Sequence, residues 1–290
     1  MKGRNVFVIA QKEVADHLQD TGFLVLLAIY TIIIFSSTYM SGSFVHQESS
    51  MLLGSINVKM IAMFAPLIGI VLGFDAVVRE QKSGSLNVLL THPLFRDNII
   101  AGKLLGSMLV LAAIIIFSVF VSIGTLLIFY GVEIGYTEII RIFVFTILTF
   151  FYVSIFLGAA VLISTMVKDG TDSLTYNVVV WLFIGILFGA ILKTAIAILT
   201  GDISNESVLI TQLLNMAPIH HFAEAVVGRI DLGFGGFNSA GSVIGGIFDT
   251  EYTLTQCLIE FKMNIVVLVV TPAILFIIAF IAFLRKDITL

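Results

Sequence analysis

Six stretches of this chain are long, apolar and almost free of charge: 23–40, 56–78, 99–130, 139–167, 173–199 and 263–284. A helix needs about 20 such residues to cross about 30 Å of hydrocarbon. Lipid offers no water to the backbone, so each run must satisfy its own N–H and C=O groups as helix. Charged residues make up 12% of the chain and hydrophobic ones 59%, with a mean hydropathy of +1.10. A soluble domain carries roughly a quarter charged residues, and half that density cannot cover a surface exposed to water. The expected fold is an all-α polytopic membrane protein with six transmembrane helices, a single domain over 1–290.

The segments between the runs carry the remaining information. Met1 to Gly22 repeats Val6, Phe7, Ile9, Ala10, Val14 and Leu18 at helical period, with Lys2, Arg4, Lys12, Glu13, Asp16 and Asp20 on the polar side. That pattern predicts an amphipathic helix lying on the inner membrane surface. The polar start, with no A-x-A site after the first apolar run, argues against a cleaved leader. Residues 79–98 are the only long polar interruption in the first half. There Leu86, Leu89 and Leu90 fall at i, i+3 and i+4, on one side of a short helix preceded by Gly84 and ended by Pro93. The chain leaves the membrane, bends, runs along the surface and returns. By periodicity this helix suits either a docking site for another protein or a helix resting on lipid.

The order Phe74-Asp75, Arg79-Glu80, Gly84, Leu86, Leu89-Leu90, Pro93, Arg96, Gly102-Lys103 resembles the first cytoplasmic loop of permease subunits of type-2 ABC exporters. The branch it is most similar to contains the permeases of nitrous oxide reductase maturation. The resemblance implies that 85–92 is a cytoplasmic coupling helix seated in a cleft of an ATP-binding subunit. It makes Glu80, Gly84, Leu86, Leu89, Leu90, Pro93 and Arg96 the candidate ATPase-docking residues. Leu86, Leu89 and Leu90 would fill an apolar groove, and Glu80 would fix the bend above it. Two ATPase copies and a second copy of the chain itself follow from the same resemblance, as does an N-terminal interfacial helix. So do outer re-entrant helices before the last span and a position in the plasma membrane.

The chemistry in the chain is sparse. No G-x-x-x-x-G-K-[ST] is present, so the chain is not expected to hold a nucleotide or other cofactor; the permease resemblance implies that ATP and Mg sit on the partner subunit. His220, His221 and Glu224 have metal-ligand residue types, but no third helix-face ligand completes the set. An outer-interface helix cap is the simpler expectation. Asp75 lies one helical turn from Arg79, and an i, i+4 ion pair accounts for it. A lone Cys257 excludes an internal disulfide, and a net charge of −4 argues against nucleic acid. Membrane lipid is the remaining partner of the spans. The long acidic segment 200–261, rich in glycine after Arg229, is a candidate surface for an extracytoplasmic partner. An intramembrane enzyme built on His220, His221 and Glu224 is the alternative, together with a non-transporting membrane assembly factor.

Orientation comes from Lys and Arg. Lys2, Arg4, Lys12, Arg79, Lys82, Arg96, Lys103, Lys168, Arg285 and Lys286 fall on one side. Lys59, Arg141, Lys193, Arg229 and Lys262 fall on the other, mostly at span ends. The positive-inside rule makes the first side, with both termini, cytoplasmic. Single cysteines replacing Ser49 and Ser239 are therefore expected to react with an impermeant thiol reagent on intact cells, and one replacing Ser83 to stay silent. Labelling at Ser83 alone reverses the orientation.

Overall fold

The computed structural model describes residues 2–42, 55–79, 96–200, 213, 216–228 and 244–285. Among these residues every regular element is helical. The helices are α1 (Lys2–Gln19), α2 (Thr21–Gly42), α3 (Ser55–Gly73), α4 (Arg96–Tyr130) and α5 (Tyr136–Met166). After them come α6 (Gly170–Leu182), a π turn (Phe183–Leu187), α7 (Phe188–Thr200), α8 (Pro218–Val227), α9 (Leu254–Glu260) and α10 (Lys262–Arg285). Four are long and apolar enough to cross a membrane: α2, α4 from Asp97, α5 and α10. The apolar stretch of α3 is shorter. The run at 173–199 is helical throughout but interrupted by the π turn, which continues directly into α7.

Two boundaries differ from expectation for local reasons. The amphipathic stretch stops at Gln19 instead of Gly22, because Asp20 begins the next helix: its carboxylate accepts from the backbone N–H of Gly22 at 2.8 Å and Phe23 at 3.4 Å. The second apolar run, expected to reach Val78, is regular helix only to Gly73, and the chain then turns through Phe74 to Val77.

Helix α5 is the central post. Along it Phe145, Leu148, Tyr152, Val153, Phe156, Leu157, Ala160 and Val161 are buried, against α3, α4, α6, α8 and α10. Helix α3 approaches it closely. A Cβ at Gly69 would lie 2.8 Å from the Val153 carbonyl oxygen, and one at Gly73 2.9 Å from that of Leu157. Helices in lipid gain little from hydrophobic association, so small residues that let backbones approach are how they pack. The second glycine pair, Gly102 and Gly106 on α4, admits Ile9, Ala10 and Glu13 of α1 in the same way. Toward the other end of α2, α3 and α4, polar groups join the helices. Asn57 accepts from the Ser37 hydroxyl at 3.1 Å, donates to Ser122 at 3.3 Å, and its backbone N–H reaches Ser41 at 3.1 Å. Large apolar side chains such as Ile32, Phe120, Ile128 and Ile277 point outward, which suits a lipid surround.

Helix α8 opens at Pro218; proline's missing N–H costs nothing in a first turn. Phe222 stacks on Tyr152 with ring centroids 4.6 Å apart, so α8 reaches the middle of α5. It ends at Gly228 in a left-handed conformation, φ 63°. Gly246, φ 84°, lies against the Val226 carbonyl, and Ile247 N–H donates to the Ala225 carbonyl at 3.0 Å. Gly228 and the chain from Ile244 to Ile247 thereby lie side by side.

Gly69→Leu should lower the thermal midpoint of the purified protein by the equivalent of about 1–3 kcal/mol or more, since a side chain there must displace backbone. Gly124→Ala, where a Cβ meets no atom within 4 Å, should leave it unchanged. Equal midpoints for the two variants in a detergent melt would remove the close α3–α5 contact from the account.

Candidate functional site

The loop that organises the sequence leaves α3 after Arg79 and returns at α4. Glu80, Gly84, Leu86, Leu89, Leu90 and Pro93 lie outside the described residues, and Arg96 is the first residue of α4. What the structure defines is the base on which that loop stands.

Three neighbouring helices hold the departing turn. Ser164 of α5 accepts from the backbone N–H of Val77 at 3.1 Å and of Val78 at 3.3 Å. Ser173 of α6 donates to the Phe74 carbonyl at 2.6 Å, and Ser107 of α4 to the Leu72 carbonyl at 3.4 Å. The end of a helix leaves backbone groups without intrahelical partners, and serines can supply them within the bundle. Ser164 and Ser173 sit in or beside apolar runs and give no sign in the sequence that they face a turn.

The returning strand of the loop is tied to α1. Lys103 Nζ lies 2.5 Å from Glu13 Oε1, with both side chains almost wholly buried at 8% and 9% exposure. Glu13 was expected on the solvated side of an interfacial helix. The structure turns it inward, because Gly102 and Gly106 let α1 come close enough for the carboxylate to meet Lys103. Apolar Phe7 and Leu18 of α1 are exposed instead. Taking two charges out of water is costly, so the pair holds only while both partners are present.

Between these anchors lie His17 and Asp75. Burial holds the His17 imidazole below its ordinary pKa, opposed by the nearby carboxylates of Glu13 and Asp75. Burial pushes the Asp75 carboxyl up, opposed first by Arg79. The expected Asp75–Arg79 pair forms at 4.0 Å, with Arg79 65% exposed and Asp75 25%. Such a pair contributes little on its own; the backbone bond from Arg79 N–H to the Asp75 carbonyl, 3.0 Å, continues the turn.

At the opposite end lies Arg141, near the start of the apolar run 139–167. It is buried and points inward, donating to the carbonyls of Ile247 at 2.5 Å, Asp249 at 2.7 Å and Tyr252 at 2.6 Å. A guanidinium has five donors in a fixed fork, which fits one residue to three carbonyls of a folded loop. His221 and Glu224 do share a helical face, bridged by Asn264: His221 Nδ1 is 3.0 Å from Asn264 Oδ1, and Asn264 Nδ2 donates to Glu224 at 2.9 Å. His220 is buried in the other direction and is not the helix cap, which is Ala217. Among the described residues no three His, Cys, Asp or Glu are placed to hold a metal ion. Cys257 is buried, its thiol pushed up by desolvation.

The sequence matches a family profile described as "ABC-2 family transporter protein" over residues 7–288. The chain belongs to the ABC-2 family of transporter proteins. Two curated relatives carry the name "Probable ABC transporter permease protein NosY". The one from Stutzerimonas stutzeri is 26% identical over 251 residues, covering 83% of this chain and 85% of that protein. The one from Pseudomonas aeruginosa is 33% identical over 110 residues, covering 37% and 40%. The matches agree with the permease resemblance of the loop. This ABC-2 family member is accordingly a multi-pass membrane permease.

Replacing Lys103 by Met should destabilise the protein by roughly 3–5 kcal/mol, because Glu13 is left buried without a partner. The charge-reversed pair Glu13→Lys with Lys103→Glu should recover part of that loss. A thermal melt of the three variants checks it; a Lys103→Met protein as stable as the parent would show that the pair is not closed in the membrane.

Proposed function

We propose that this chain is the permease half of an ATP-driven transporter, in which a separate ATPase subunit docks on the loop at 79–98. The observation that carries this reading is the base of that loop. Serines of α4, α5 and α6 hold its departing turn, and a buried ion pair holds its returning helix to α1. A push on the loop therefore reaches most of the bundle at once. A helix that only rested on lipid would need no such fixed base. Family membership and the relatives' permease names support the same reading.

In this reading six spans cross the membrane, with α3 and the α6–π turn–α7 run added to the four longest helices, and both termini are cytoplasmic. α1 lies along the inner surface. α8, whose Phe222 meets Tyr152 midway along α5, is a re-entrant helix dipping from the outside. Two permease copies and two ATPase subunits form the unit, as ATPases of this class act in pairs. The outward apolar faces of α2, with Val25, Ile29 and Ile32, and of α6–α7, with Val179 and Ile191, suit the contact between copies.

The apolar character of the spans supports apolar or amphipathic cargo, or force transmission to an outside partner at 200–261, over an ion path. A cleft of about 640 Å³ between α4 and α5 has Thr146 as its one polar lining residue, and that hydroxyl donates to the Ile142 carbonyl. Hydrocarbon is the occupant such a lining accepts.

Leu86→Asp combined with Leu90→Asp should abolish co-purification of the ATPase while the permease still inserts. Burying one leucine is worth about 1.5–3 kcal/mol, so losing two weakens docking by more than about 100-fold at 1.4 kcal/mol per decade. Glu80→Ala should leave docking and uncouple hydrolysis from transport. If the double variant keeps its ATPase and only detaches the loop from lipid, the docking reading fails.

A further inference from the structure

Pro66 lies inside helix α3, and side chains of two other helices bond to the carbonyls one turn before it. Proline has no N–H, so the Ala62 carbonyl one turn back loses its helical donor. Tyr152 of α5 takes that place, its hydroxyl donating to Ala62 at 2.8 Å in a fully buried setting. The next carbonyl, Met63, accepts from Trp181 Nε1 of α6 at 3.0 Å, two residues before the π turn. Proline breaks are tolerated in membrane helices where neighbours satisfy the freed groups, and they are where such helices bend.

The same tyrosine ring lies nearly parallel to Phe222 of α8, 4.6 Å between centroids and 18° between planes. Below Pro66, α3 is fixed to α5 through Gly69 and Gly73 and ends in the turn held by Ser164. Above Pro66, the Tyr152 and Trp181 hydrogen bonds join the carbonyls beside the proline to α5 and α6, and Asn57 ties the start of α3 to α2 and α4. One residue thus touches α3 beside Pro66, the central post and the helix that carries the opposite loop.

We infer that Tyr152 is a positioning residue that links bending of α3 at Pro66 to the placement of α8, and so carries loop movement to the far face. The inference rests on the ATP-driven reading above. A displaced turn at 74–79 moves the lower half of α3, and the proline absorbs the change of direction. Because the Ala62 bond and the Phe222 stack share one ring, the bend and α8 cannot change independently. The loop after 243 follows α8 through the Ile247–Ala225 bond, and Arg141 fixes that loop to α5.

The test uses the full permease–ATPase complex in lipid nanodiscs. A probe is attached to Glu251→Cys, an exposed position in the Arg141-held loop, with Cys257→Ala in the background. The parent should show an ATP-dependent change at the probe. Tyr152→Phe keeps the stack and loses the hydroxyl; the change should shrink about fivefold, within the range that single residues of a coupled network produce, while ATPase binding persists. Adding Pro66→Ala restores an N–H for the Ala62 carbonyl. The double variant should regain thermal stability and still lack the probe response. A response that returns with stability makes Tyr152 a purely structural residue and overturns the inference, as does a Tyr152→Phe response equal to the parent's. A parent complex that hydrolyses ATP with no change at the probe overturns the ATP-driven reading itself, and the link with it.

Discussion

Backbone polar groups have no water to turn to inside a bilayer, and the structure depends on how each break in a helix is satisfied. Three such breaks are met by side chains of one helix. Ser164 of α5 takes the N–H groups of the turn after α3, Tyr152 donates to the carbonyl freed by Pro66, and Arg141 gathers three carbonyls of the loop after Gly246. From Arg141 to Ser164 is about 35 Å at about 1.5 Å per residue, a little more than the hydrocarbon thickness. A single rod therefore meets irregular backbone at both faces and in the middle of the membrane, and this explains why α5 is the most buried of the long helices.

The rest of the bundle is arranged around that post by close approach more than by shape. Gly69 and Gly73 bring α3 to it, and Gly158 brings α10, where a Cβ would meet that of Leu275 at 3.0 Å. The outer helices remain open to lipid, with α10 burying little of its length. Burial is concentrated along α5 and thin at the margins. In the ATP-driven reading proposed above, force applied at the Phe74–Val78 turn enters that buried, rigid part first. The buried Glu13–Lys103 pair extends the rigid part to α1, so a helix that composition presents as a surface float belongs mechanically to the loop base.

Some of this could be read from residues alone. Spans at 23–40, 99–130, 139–167 and 263–284 are each recovered to within about three residues, because hydropathy over about 20 residues is what a bilayer selects. The Asp75–Arg79 pair followed from helical spacing. The glycine pairs 69 and 73, and 102 and 106, also carried a readable signal, small residues one turn apart in apolar surroundings. The inward turn of Arg141 was not legible, since a basic residue at a span end has the same spacing whether it snorkels or satisfies a loop 106 to 111 residues away.

The sequence by itself determined that the chain is helical and membrane-spanning, and its loop motif pointed to the permease family. Those properties depend on local composition and on residues near one another in the chain. Only the tertiary structure decided which polar residues work together. Glu13 meets Lys103 across 90 positions, Ser164 meets Val77 across 87, and Tyr152 meets Ala62 across 90. In an apolar helix a serine, a tyrosine or a glutamate has no periodic pattern to mark its partner. The pairing is set by which helix lies alongside at the depth where the backbone has lost a hydrogen bond, and that is a property of the packed bundle alone.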